Sequence, residues 1–259
     1  MSQRIVERNN VRVFGDGDQP MMFAHGFGCD QNMWRFITPA FEQDYRIVLF
    51  DYVGAGKSDI AAYDKVRYSR LDGYAQDVLE ICQALDLEEV ILVGHSVSSM
   101  IAVLAANLNP DRFSHLIMVG PFPRYINDPP EYFGGFERAD IEGLLDMMDR
   151  NYIGWANSLG PAIVKNPERP ELSEELTESF CSTDPQIARR FAEATFFADN
   201  IHPFDRGPLE HRRHGRIRSD SECRIPASRI RFSGHPLRSE LRSLQRWRIE
   251  RVSLSPCDP

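Results

Sequence analysis

The sequence predicts a doubly wound α/β fold with a mostly parallel sheet. Short apolar segments alternate with segments of helical periodicity as far as Val119. The later apolar segments are nearly continuous, which is typical of strands that are buried on both faces. With 259 residues, 42% of them hydrophobic, the chain is long enough for one large domain with a sizeable core.

The order of the elements supports this class of fold. Candidate strands are residues 11–14, 21–24, 46–50, 90–93 and 115–119. Helices are predicted around 30–43, 71–87 and 97–108, and apolar residues within 71–85 form one helical stripe. Because strands and helices alternate, neighbouring strands are expected to be parallel.

A helical segment follows the sheet strands. Residues 125–200 are rich in helix formers, and helices are predicted over 139–149, 150–166, 171–180 and 184–197. Asp184 is a candidate N-cap because Pro185 occupies the first helical position. Helices inserted at this point are expected to form a cap over the carboxyl edge of the sheet, where such folds bind ligands.

The last part of the sequence has a different character. Residues 201–259 contain 13 arginines, no lysine and 7 acidic residues, a balance of +6, whereas residues 1–200 have a balance of −14. No buried-strand pattern is found there; 229–233 resembles a polar edge strand, and 238–251 is predicted as a short helix. We therefore expect the C-terminal strands of the sheet to be missing or disrupted.

The domain prediction follows from these changes of pattern. Residues 1–124 are assigned to the core, 125–200 to the helical cap, and 201–259 to an arginine-rich tail that replaces the end of the core.

Composition and cysteine spacing indicate the compartment of the protein and the state of its thiols. No apolar run is long enough for a membrane helix and the N-terminus has no apolar signal region, so a cytoplasmic protein without membrane association is expected. The five cysteines are widely spaced, which favours free thiols over disulfides or a metal site. They are Cys29, Cys82, Cys181, Cys223 and Cys257.

The segment around Ser96 predicts a serine nucleophile. An apolar run ends in Gly94-His-Ser96-Val-Ser98, and a helical pattern follows immediately. A strand, a tight turn and a helix with serine at the apex form a nucleophile elbow, which exposes the serine oxygen above the sheet edge. The alternative is a turn that merely tightens a strand-to-helix junction.

The same chemistry requires N–H donors for an oxyanion. The Val97 amide, next to Ser96, is one candidate. The Phe27 amide is the other, since Phe27 lies in the glycine-rich turn Ala24-His25-Gly26-Phe27-Gly28 after an earlier strand. His25 itself is interpreted as a packing or hydrogen-bonding residue rather than a catalytic one.

Two nucleotide-related interpretations are disfavoured. The segment Gly54-Ala-Gly56-Lys57-Ser58 suggests a phosphate loop, but Asp51 occupies the position of the first glycine and no helix pattern opens after Ser58. A turn braced by Asp51 is preferred. The arginine-rich tail permits nucleic-acid binding electrostatically, yet it has no recognition motif or periodic basic face, so nucleic acid is not an expected partner.

These motifs resemble those of the α/β-hydrolase superfamily. The residues that carry the resemblance are Phe-Ala-His-Gly-Phe-Gly over 23–28, Gly-Ala-Gly-Lys-Ser-Asp over 54–59 and Gly-His-Ser-Val over 94–97, with further similarity over 127–136, 151–156 and 180–185. Within the superfamily, residues 1–200 look most like the RsbQ-like group. This group includes bacterial regulators of the sigma-B stress response and the plant karrikin and strigolactone receptors.

The resemblance implies a function. It implies a four-helix cap over an apolar pocket, Ser96 as the nucleophile, and Phe27 and Val97 as oxyanion donors. It further implies a small hydrophobic ligand of the ester or lactone type, a PP2C-type phosphatase as partner in a stress response, and no cofactor or metal.

The sequence also departs from the pattern. Ser98 stands where the elbow usually has a second glycine, and no residue of the tail matches the triad aspartate or histidine in its strand context. Whether Asp205, Asp220 or His235 completes a triad stays open. Weak or absent turnover is therefore expected, with a non-catalytic ligand-binding protein and a frameshifted product as alternatives.

Overall fold

A mixed six-stranded sheet is the centre of the fold. A computed structural model describes residues 2–201 and, as backbone, 249–253. Within this part of the chain the strand order is β1-β3-β2-β4-β5-β6, with β3, β2, β4 and β5 parallel and an antiparallel strand at each edge. The strands are β1 Arg12–Phe14, β2 Pro20–Ala24, β3 Arg46–Leu49, β4 Val90–His95, β5 Phe113–Val119 and β6 Ile249–Ser253.

Seven α-helices accompany the sheet in the described residues. They are α1 Ser2–Arg8, α2 Leu71–Ala84, α3 Val97–Leu108, α4 Arg138–Arg150, α5 Tyr152–Val164, α6 Pro170–Cys181 and α7 Pro185–Phe196. The predicted strands and cap helices are confirmed to within a few residues, and so is the fold class. The helix α1 had no counterpart among the predictions.

Helices α2 and α3 cover one face of the sheet. The predicted stripe of α2 is buried, including Tyr74, Val78 and Ile81. It packs with the apolar side of α3 against Val48 and Leu92 of the sheet. Burying side chains of this size stabilises the fold by about 2 kcal/mol each, so this layer supplies much of the core energy.

The opposite face is covered differently from the prediction. The helix expected over 30–43 is wrong, because the structure has two short 3-10 helices there, Gln31–Trp34 and Thr38–Ala40. Pro39 cannot continue a helix that already runs through residues 35–38, and the Trp34 ring packs against Phe23 of β2. Short 3-10 turns, rather than one continuous helix, therefore cover this face of the sheet.

The cap has its own apolar cluster. Helices α4 to α7 pack around buried side chains that include Ile141, Leu145, Trp155 and Phe180. The predicted N-cap of α7 is confirmed, since the Asp184 carboxylate accepts hydrogen bonds from the first-turn amides of α7 at 2.9 and 3.0 Å.

The tail contributes one strand to the sheet. Backbone pairing joins β6 antiparallel to β5, with Ile249 opposite Val119. The helix predicted over 238–251 is therefore wrong at its end, where residues 249–251 are strand; the rest of it, and the predicted strand 229–233, lie outside the described residues. The outer edge of β5 offers unpaired backbone groups, which favour an added strand over a helix.

Candidate active site

The elbow at Ser96 has the backbone conformation that the sequence predicts. Ser96 lies between the end of β4 and the start of α3, with φ 55° and ψ −120°. A positive φ is unfavourable for serine, so the surrounding contacts must enforce it. The Ser96 amide donates to the carbonyl of Val119 at 2.8 Å, and the Ser99 amide donates to the Ser96 carbonyl at 2.9 Å.

The small residues around Ser96 have distinct functions. A Cβ atom at Gly94 would lie 2.4 Å from the backbone oxygen of Ser98, so glycine is required there. Ser98 is buried, and its hydroxyl donates to the His25 carbonyl at 2.5 Å and lies 3.0 Å from the Tyr52 hydroxyl. The serine in place of the second glycine therefore adds hydrogen bonds to the elbow.

The glycine-rich turn after β2 lies directly beside the elbow. Ala24 pairs with Gly94 in the parallel register of β2 and β4, so both strands end at the same edge. A Cβ atom at Gly26 would lie 2.4 Å from His95 Nδ1, which shows how closely the two turns approach. The Cys29 amide donates to the Gly26 carbonyl at 3.2 Å and closes the turn around Phe27. We call residues 25–28 the oxyanion loop, after the role that is predicted for the Phe27 amide.

Two histidines, His25 and His95, lie at this edge of the sheet. His25 is buried, its Nε2 accepts from the Tyr52 amide at 3.2 Å, and its Nδ1 lies 3.0 Å from the Gly26 carbonyl. Burial lowers the pKa of His25. Burial and the nearby His25 also lower the pKa of His95, to about 4. The interpretation of His25 as a hydrogen-bonding residue is thus supported by its contacts.

Tyr125 is a site residue that sequence reasoning missed. Its side chain is partly buried and packs against the cap cluster. Burial raises the Tyr125 pKa, and the Ser96 side chain opposes that rise. No recognisable motif surrounds position 125, so the sequence carries no signal for this contact. A phenol beside Ser96 is a donor available to an oxygen bound there.

Aromatic rings of the cap surround Phe27. Its ring lies 5.5 Å from Phe191, 5.6 Å from Phe196 and 5.9 Å from Phe180, centroid to centroid. The Phe196 ring in turn meets Tyr125 edge-on at 5.0 Å. The space between the oxyanion loop and the cap is therefore lined by apolar aromatic surface.

A cleft continues this surface between the loop after β3 and helix α7. Ser96 is not among the residues that line it. The lining residues are Phe27, Gly28, Cys29, Tyr52, Val53, Gly54, Ala55, Tyr74, Thr183, Ile187, Ala188 and Phe191. Because burial raises the pKa of the Cys29 thiol to about 12, the wall carries no charge at neutral pH.

The turn after β3 has the structural role that was preferred for it. The buried Asp51 carboxylate accepts from the Lys57 amide at 2.9 Å and the Gln31 amide at 2.8 Å. It fills the space at Gly56, where a Cβ atom would lie 2.5 Å from it. A carboxylate in this place would repel a phosphate, which disfavours the nucleotide interpretation.

The remaining candidate residues lie outside the described part of the chain. Asp205, Asp220 and His235 are among them, so which residue supplies an acid or base partner to Ser96 stays an open prediction. Within residues 2–201, side chains of His, Cys, Asp and Glu form no group that could hold a metal ion. No helix in that range is long and apolar enough to cross a membrane.

The described fold matches known proteins over most of its length. A family model for the alpha/beta hydrolase fold matches residues 19–179. Strigolactone esterase D14 of Arabidopsis thaliana is 40% identical over 200 residues, which cover 77% of this chain and 74% of that protein. Karrikin insensitive 2 receptor CA of Petunia hybrida is 37% identical over 198 residues, 76% of this chain and 73% of that receptor.

A solved structure gives the same result. A hydrolase from Oleispira antarctica is 49% identical, has a TM-score of 0.76, and covers 79% of this chain and 75% of that chain. A mostly parallel sheet with an elbow at its edge and a helical cap above defines an α/β protein of the hydrolase type. The chain belongs to the α/β hydrolase fold family.

Proposed function

We propose that this protein is a sensor that binds a small hydrophobic ester or lactone beneath its cap and holds the ligand carbonyl at Ser96. The observation that carries the proposal is the strained elbow at Ser96, which lies beside the oxyanion loop and the aromatic surface of the cap. Relatives that are named as karrikin receptors and strigolactone esterases support a ligand of this class.

The chemistry at the carbonyl follows from the arrangement. The Ser96 hydroxyl is the nucleophile, and the amides of Phe27 and Val97 are the donors for the oxygen that becomes negative during attack. Transfer of the acyl group to Ser96 releases the alcohol half of the ester and requires a base to take the Ser96 proton. Since His25 already accepts the Tyr52 amide, it is not available as that base.

We therefore expect binding with little turnover. A serine that lacks its histidine loses nearly all of its rate. Hydrolysis of 4-nitrophenyl butyrate should be at or near background and should not change in Ser96→Ala. Robust turnover that disappears in Ser96→Ala would contradict the sensor and favour a working hydrolase, with His235 as the first candidate for the base.

Binding has an internal reporter. The buried Trp155 ring lies 6.2 Å from Phe27 and 5.1 Å from Phe180, so a ligand that enters between these rings should change its emission. Titration with a strigolactone analogue should give a saturable change in the wild type and no change in Trp155→Phe. A wild-type protein that shows neither saturation nor a raised melting temperature would refute the proposal.

The proposed setting is a cytoplasmic stress response, with a PP2C-type phosphatase as partner. This part rests on the resemblance of residues 1–200 to the RsbQ-like group. It is tested by assaying a PP2C-type phosphatase from the source organism with and without the protein. Unchanged phosphatase activity, whether or not the analogue is present, would rule this partner out.

A further inference from the structure

The oxyanion loop is held by two serine hydroxyls from different layers of the molecule. Ser98 belongs to α3 in the core, and Ser179 belongs to α6 in the cap. The Ser98 hydroxyl donates to the His25 carbonyl at 2.5 Å, and the Ser179 hydroxyl donates to the Gly28 carbonyl at 2.6 Å. These two carbonyls are the first and last of the loop, with Phe27 between them.

The contact at the core end is fully buried. Ser98 is 0% exposed, and the Tyr52 hydroxyl lies 3.0 Å from its oxygen. The Tyr52 amide donates to His25 Nε2 at 3.2 Å, so the same residue supports the loop from its side chain and its backbone. These hydrogen bonds restrict the conformation of the first residue of the loop, His25.

The contact at the cap end is reinforced by packing. Gly28 has φ +69°, and a Cβ atom there would lie 2.0 Å from the Phe180 ring, which follows Ser179 in α6. The ring therefore lies directly on Gly28, and the end of α6 is in contact with the backbone of the loop. The Phe180 ring also contacts Phe27, 5.9 Å away between centroids.

We propose that Ser98 and Ser179 are positioning residues that together fix the direction of the Phe27 amide. Removal of either hydroxyl frees one end of the loop, and movement of α6 has the same effect as removal of Ser179. The cap thereby takes part in forming the oxyanion site rather than only covering it. The role of the Phe27 amide rests on the proposed function, whereas the restraint of the loop does not.

The turn provides an amide that reports on this restraint. The Cys29 amide is bonded across Phe27 to the Gly26 carbonyl at 3.2 Å and exchanges with solvent only when the turn opens. Residue-resolved hydrogen exchange by NMR on the full chain measures that opening. Loss of one buried hydrogen bond is expected to raise the opening constant about fivefold, so Ser98→Ala and Ser179→Ala should each speed the exchange of Cys29 by that factor.

Matched controls separate positioning from general destabilisation. Ser99 is the next residue of α3, is equally buried, and donates to the Gly94 carbonyl at 2.8 Å instead of the loop. Ser182 follows α6 and donates within the cap to the Ser179 carbonyl at 2.8 Å. Ser99→Ala and Ser182→Ala should leave Cys29 exchange within about twofold of wild type, and Ser179→Thr, which keeps the hydroxyl, should restore it.

The outcomes are distinct. Faster Cys29 exchange and a shifted Phe27 amide resonance in Ser98→Ala and Ser179→Ala alone would support the proposal. Unchanged exchange in both, or equal acceleration in the controls, would overturn it. If Ser98→Ala fails to fold, Tyr52→Phe tests the core end, while the half-buried Ser179 still tests the cap end. Because exchange is measured without a ligand, a failure to bind esters would refute only the proposed function.

Discussion

At the residue scale, the position of Ser96 depends on Gly94, where the backbone of α3 leaves no room for a side chain. The carbonyl of Ser98 occupies the space beside Gly94, and α3 begins directly after the elbow. Any added atom at Gly94 must separate strand from helix. The strained conformation of Ser96 is thus maintained by close packing as much as by hydrogen bonds.

Gly94→Ala is expected to destabilise the protein by about 2 kcal/mol or more, because the new methyl group overlaps backbone rather than a movable side chain. Gly143→Ala is the matched control, since a Cβ atom there has nothing within 4 Å and replaces a glycine inside α4. The control should be stabilised by roughly 0.5–1 kcal/mol. Urea unfolding measures both, and equal effects would contradict the packing argument.

His95 gives a pH dependence with a defined sign. Its pKa is lowered from 6.5 to about 4 in the folded state. Between these two pH values the histidine is protonated in the unfolded chain and neutral in the folded protein. This histidine should therefore remove stability as pH falls from 6.5 to about 4, by about 3 kcal/mol in total. The unfolding free energy of His95→Gln, followed over the same range, should decline less steeply. Parallel profiles would show that the histidine is not responsible.

At the element scale, helix α1 is attached to the core by a buried charge. The Asp77 carboxylate of α2 is 0% exposed and lies 3.1 Å from Arg8 of α1 and 2.6 Å from Arg67. The Tyr68 hydroxyl donates to the same carboxylate at 3.0 Å. Burial raises the Asp77 pKa, and the two guanidinium groups oppose that rise.

Arg67→Ala is expected to cost about 2 kcal/mol, because it leaves a buried carboxylate with one cation fewer. Arg70→Ala is the control, as its pair with Asp72 is 83% and 57% exposed and should contribute less than about 0.5 kcal/mol. Thermal and urea unfolding compare the two variants. Similar losses would mean that the buried cluster is no stronger than a surface pair.

Elements with a strong local signal were predictable from sequence. The strand 90–93 is an uninterrupted apolar run, and α7 carries both Asp184 and Pro185 at its start, so both were located correctly. The segment 30–43 has helical composition, yet Pro39 interrupts a continuous helix and the Trp34 ring packs on Phe23 of β2. Ser96 could be predicted as a candidate because its motif is local, whereas Tyr125 and Ser179 lie near it through tertiary contacts that no short pattern encodes.

At the scale of the whole molecule, the tail is the unexplained part. The relatives match about three quarters of the chain, and the change to arginine without lysine begins where the cap ends. Loss of apolar periodicity at one point is typical of a shifted reading frame. The division into 1–124, 125–200 and 201–259 stays a prediction.

If the frame is shifted, the coding DNA beyond codon 200 should encode, in another frame, strands followed by the triad aspartate and histidine that the resemblance to the α/β-hydrolase superfamily implies. Mass spectrometry of the natural protein should then give a mass different from 29.7 kDa. An intact protein of that mass, from an uninterrupted gene, would show that this tail is the native one.

The pairing of β6 connects the tail to the elbow at Ser96. Ile249 pairs with Val119, and the carbonyl of Val119 receives the amide of Ser96. Ser96 is thus two backbone contacts away from the arginine-rich tail. Main-chain groups make both contacts, so the pairing requires a strand at this edge of the sheet and no particular side chains.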